Sequence, residues 1–96
     1  MRAALIFHHK ARVHGHYVLE LEIFQVGDPV RYPDGVKYSM VCVNSITGQK
    51  VLLDNHHPKG PHLHLDNLEI SYAFTGVPSL MADFKRLVSE HLGVKL

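Results

Sequence analysis

Apolar and polar residues alternate from Tyr17 onward, until Phe24 and Val26 break the pattern. Between residues 17 and 26, Tyr17, Leu19, Leu21 and Ile23 fall on one side of an extended backbone and Glu20 and Glu22 on the other. That period of two belongs to a strand covered on one face. Ala3 to Val13 forms a second extended segment, joined to the first through His14-Gly15-His16, whose glycine can supply the positive φ of a tight connection. The two segments predict a β-hairpin. Asp28-Pro29 and Pro33-Asp34-Gly35 mark residues 27–36 as a loop. Lys37 to Ser45 and Gln49 to Asn55, on either side of Thr47-Gly48, predict a second hairpin. Leu68, Ile70, Tyr72 and Phe74 alternate with Glu69, Ser71 and Ala73, which predicts a last strand over residues 68–74 and a sheet of about five strands.

The period changes after that strand. Val77, Leu80, Met81, Phe84, Leu87, Val88 and Leu92 recur every three or four residues, with Asp83, Lys85, Arg86 and Glu90 mostly on other faces. This predicts one amphipathic C-terminal helix, with Pro78 in its first turn, Thr75 or Gly76 as its N-cap and Gly93 just past its end. The expected class is α+β, an antiparallel sheet with a single helix packed on one face. One helix leaves the other face open. That face must be polar, lie in an interface such as a homodimer, or receive a partner.

The 96 residues suit a single domain, 1–96, because a chain of this length buries about two-thirds of its unfolded surface and supports one core. Its 46% hydrophobic and 20% charged residues are those of a folded globular chain. A net charge of +1 gives no global basic field for polyanions. A local field does exist: Arg2, Lys10, Arg12, His8, His9, His14 and His16 precede the first acid, Glu20. Cys42, the only cysteine, sits in an apolar run and excludes an intrachain disulfide or a multi-cysteine zinc site. The apolar run Ala3 to Phe7 is too short for a signal-peptide core or a membrane span, so a cytoplasmic location is the expectation.

Polar chemistry concentrates between Leu53 and Phe74. His62 and His64, two apart, project to one side of an extended backbone while Leu63 points the other way. As metal ligands they would need a third from His56, His57, Asp54 or Glu69. As proton-transfer groups they could cleave RNA without metal or cofactor. That reaction needs a base for the 2′-hydroxyl, an acid for the leaving oxygen and a cation at the phosphate. Lys59 beside Gly60 offers the cation, and Glu69 or Tyr72 could orient a histidine or exchange a proton. A solvated histidine-rich loop is the third reading. Asp54 can act in the site or bond its own backbone to begin a turn. His8 and His9 face opposite sides of their strand, His14 and His16 flank a turn, and His91 suits the negative end of the helix dipole. Glu69 and Tyr72 also fall on opposite faces of a regular strand.

The pattern D-N-x-x-x-K-G-x-H-x-H, then E-x-x-Y-x-F and L-x-x-D-F, is formed here by Asp54, Asn55, Lys59, Gly60, His62, His64, Glu69, Tyr72, Phe74, Leu80, Asp83 and Phe84. It resembles the TumE-type toxin family of bacteria and archaea. The opening L-I-F-H-H-K-A-R and the segments E-L-E-I-F-Q-V and V-K-Y-S extend the likeness over nearly the whole chain. The resemblance implies a cytoplasmic toxin of a type II toxin-antitoxin pair whose partner is a helix-turn-helix antitoxin. RNA as the target, cleaved by a small metal-independent endoribonuclease, is inferred from the histidine, lysine and glutamate chemistry. A degenerate toxin relative that only pairs with an antitoxin is the non-enzymatic alternative. Pro61 and Leu63 depart from the family, which often has an acid and an arginine there; the missing arginine removes a phosphate-binding fork.

Overall fold

The computed structural model describes residues 3–96. Its sheet is an antiparallel meander in which β1 (Ala3–Val13), β2 (Tyr17–Val26), β3 (Val36–Asn44), β4 (Lys50–Asp54), β5 (His62–Leu65) and β6 (Leu68–Ser71) lie side by side in chain order. One helix, α1 (Val77–Leu92), follows. The α+β class is as the hydrophobic pattern predicts, with six strands in place of about five. The additional strand is β5, whose four residues pair with β6 across the two-residue turn Asp66-Asn67. Asp66 adopts φ 56° there, while its carboxylate accepts the Lys50 backbone N–H at 2.9 Å. The last strand is shorter than its alternation suggests. After Ser71 the chain keeps one further bond, Tyr72 N–H to the Pro61 carbonyl, and Phe74 then turns to stack on Tyr38 at 5.4 Å between ring centres.

The register explains which face is buried. Leu19, Leu21 and Ile23 stand opposite Cys42, Met40 and Tyr38, which in turn meet Val51 and Leu53, and then Leu63. Leu80, Phe84 and Val88 of α1 close over this row, and none of the three is more than 1% exposed. Burying one large aliphatic side chain of this kind stabilises by about 1.5–3 kcal/mol. Cys42 belongs to the same core, and burial raises its thiol pKa. Tyr38 is buried there too, and among the described residues its hydroxyl has no hydrogen-bond partner. The helix starts at Gly76 without a side-chain cap and ends at Gly93, whose φ of 70° lets its N–H reach the Ser89 carbonyl.

The helix lies over β3 and β4, and among the described residues no helix covers the opposite sheet face. No helix among the described residues is long and apolar enough to cross a membrane.

Candidate active site

Residues paired across adjacent antiparallel strands share a face, so the register gives the rows of the open face. One row runs His8, Glu22, Ser39, Asp54, His62, Ser71. The next runs Lys10, Glu20, Val41, Leu52, His64, Glu69. His62 and His64 therefore stand side by side on β5, with ring centres 4.8 Å apart and planes nearly perpendicular. Asp54 of β4 is the cross-strand neighbour of His62.

Loop chemistry between β4 and β5 fixes the His62 ring. Gly60 takes φ 74°, a conformation that favours glycine, and its carbonyl lies 2.7 Å from His62 Nδ1. A carbonyl only accepts, so Nδ1 carries the hydrogen and Nε2 is the nitrogen turned toward β4. That Nε2 stands 2.9 Å from Asp54 Oδ1, which supplies a countercharge whenever the ring is protonated. Only 9% of the His62 side chain and 19% of the Asp54 side chain are exposed. Asp54 also accepts the His56 N–H at 3.3 Å, so it begins the turn and faces the site at once. Its neighbour Asn55 is structural. Buried, it bridges to β3 by accepting from Tyr38 N–H and donating to the Val36 carbonyl.

Lys59 reaches over the end of the sheet and bonds both Glu69 oxygens, at 2.9 and 3.1 Å. This hydrogen bond holds the Glu69 carboxyl below the usual range. Two shallow grooves meet at His62 with Lys59 on the rim of both. Asp54, His56 and His57 line one, and Pro61, Glu69 and Ser71 the other.

Five of the six residues expected in the site thus gather at one end of the open face: Asp54, His62 and His64 as a group, with Lys59 paired to Glu69 beside them. Tyr72 does not join them. It donates its hydroxyl proton to Asp83 of α1, and burial, followed by that carboxylate, raises its pKa. Its place after β6 puts it on the helix side, where it ties the sheet to the helix. His91 is likewise structural, 2.9 Å from Asp66 at the β5–β6 turn.

A second grouping was missed. His8 lies 3.2 Å from Glu20 and 3.9 Å from Glu22, at the far end of the same face. Folding the predicted hairpin about Gly15 sets His8 against Glu22 and Lys10 against Glu20, so the signal was present. The His8 hydrogen bond lowers the Glu20 carboxyl pKa, and both partners are solvated. Comparison of the chain with protein-family models, curated proteins and solved structures returns no match.

Proposed function

We propose that this chain is a toxin-type endoribonuclease that cleaves RNA by acid–base catalysis at His62 and His64, restrained in the cell by a helix-turn-helix antitoxin. The observation that carries the chemistry is the Asp54–His62–His64 grouping on an open sheet face, with a lysine on the rim of the adjoining grooves. The toxin context rests on the sequence resemblance. His64 takes the proton of the ribose 2′-hydroxyl as its oxygen forms a bond to phosphorus. The bond from phosphorus to the 5′-oxygen breaks, and His62 Nε2 delivers to that leaving oxygen the proton it otherwise shares with Asp54. The products are a 2′,3′-cyclic phosphate and a 5′-hydroxyl. Asp54 balances the charge of protonated His62, and incoming phosphate replaces Glu69 on the Lys59 ammonium.

Purified protein incubated with RNA between about pH 5 and pH 9, with and without chelator, tests this. Chelator-resistant cleavage with a bell-shaped pH profile is expected, because one ring must be neutral and the other protonated. His64→Ala should lower the rate about 10²- to 10⁴-fold, the usual worth of a general acid or base. Absence of cleavage at every pH, together with His62→Ala remaining as toxic in cells as the parent chain, overturns the reading.

A specific observation favours a second reading, a metal site. Asp54, His62 and His64 each offer a ligand atom, all within 4.8 Å of one another. The Gly60 carbonyl on His62 Nδ1 is also the outer-shell contact that commonly orients a metal-binding imidazole. Calorimetric binding of Zn²⁺ or Mn²⁺ lost in His64→Ala, with chelator-sensitive activity, would select this reading over the first.

A further inference from the structure

We infer that β1 is a docking edge for an extended, acidic segment of a partner protein, which would add to the sheet as a seventh strand. Three features converge on β1. Among the described residues it is the longest strand and stands at the end of the sheet, paired on one side only. An unpaired edge offers a row of backbone N–H and C=O groups to another chain. The opposite edge, β6, has four residues, and its one acid is engaged by Lys59.

Charge selects the occupant. His8, His9, Lys10 and Arg12 all lie on β1, which contains no acid. Glu20 and Glu22 engage His8 from β2. Lys10 and Arg12 make no ion pair with an acid among the described residues, Arg12 instead bonding the Gly15 carbonyl. An antiparallel second copy of β1 would set these cations against one another, so charge disfavours self-pairing. Acidic side chains on one face of an added strand meet Lys10 and Arg12, which project to the open side.

Apolar surface explains why the occupant is a polypeptide and not a nucleic acid. Leu5, Ile6 and Phe7 are 58%, 54% and 38% exposed on this one strand. Because α1 sits over β3 and β4, a cleft of about 310 Å³ remains beside β1, lined by Phe7, Val13, Leu21, Met81, Phe84 and Leu96 among others. His9 and Lys85 stand at the same cleft. A strand alternating acidic with apolar residues would cover the cleft with one set of side chains and meet the cations with the other. A phosphate backbone would leave the cleft bare. The register shift between Leu5 and Phe7 limits regular pairing to residues 7–13. This docking edge stands apart from the RNA reading, since none of its residues belongs to the Asp54–His62–His64 group.

A synthetic peptide of about nine residues alternating Glu or Asp with Val, its Lys-for-acid counterpart and an oligouridylate are the probes. Expected is saturable binding of the acidic peptide, weakened by salt, with slowed amide exchange along residues 7–13 and none on β6. The double substitution Lys10→Glu with Arg12→Glu should weaken that peptide at least about tenfold and admit the basic one. Four results overturn the inference: no binding of the acidic peptide, protection elsewhere on the sheet, equal affinity in the charge-reversed chain, or protection of residues 7–13 by the oligouridylate alone.

Discussion

At the β4–β5 end of the open face, a histidine meets a carboxylate at 2.9 Å with 9% of its side chain exposed; at the β1–β2 end, another does so at 3.2 Å with 43% exposed. Both pairs join neighbouring strands, and both have a further titratable group close by. What separates them is the loop. Residues 55–61 fold back so that Gly60 fixes one nitrogen of His62 and the surrounding chain excludes water. No equivalent loop covers His8, whose ring has carboxylate contacts on one nitrogen only. A histidine beside an acid is therefore a poor signal by itself, and a second fixed contact with burial is a better one.

The contrast can be broken most directly in the reaction. If the first end is the site, His62→Ala lowers RNA cleavage by about 10²- to 10⁴-fold, while His8→Ala leaves the rate within experimental scatter; equal losses would erase the distinction. Stability is the next measure. Asp54→Ala leaves the buried His62 nitrogen without its oxygen and should cost about 1–3 kcal/mol in denaturant unfolding, whereas Glu22→Gln should leave the midpoint unchanged. Tyr72→Phe sharpens the boundary of the site, because it should cost about 1 kcal/mol through the lost Asp83 bond and leave the cleavage rate unaltered.

Acid titration is the smallest effect. The Lys50 backbone N–H and then His91 hold the Asp66 carboxyl below its ordinary value of 3.8. A depressed carboxyl contributes stability above its unfolded pKa and loses it as pH falls through the lower folded value. Asp66→Asn should therefore lower Tm slightly at neutral pH, and the gap to the parent chain should close as pH falls below about 4, as scanning calorimetry across that range can show.

Local patterning made some of this legible and left the rest hidden. The His14-Gly15-His16 connection between two extended segments matched the observed limits of β1 and β2, and the three- and four-residue spacing from Val77 to Leu92 carried the helix. β5 was hidden because His62 and His64 occupy the polar positions of only four residues, between Pro61 and a turn lacking glycine. The two histidines could still be assigned to one side, since extended backbone suffices for that. The sequence leaves Asp54 as one of four candidates beside His62, because the contact depends on how residues 55–61 set the register between two strands. Tyr72 illustrates the converse. Its alternation correctly separated it from Glu69, but its bond to Asp83 depends on where the helix packs.

The chain-order arrangement of the six strands also governs how the molecule reaches this state. Every ladder joins sequence neighbours, so each pairing closes a short loop before more distant contacts are needed. The entropic barrier to such closures grows only slowly with length, and folds rich in near-neighbour contacts fold quickly for their size. Asp54 and His62 face one another across a single such closure, so their proximity can arise with the β4–β5 hairpin itself. The covering helix, the last element in the chain, would then stabilise an arrangement already sketched by the sheet.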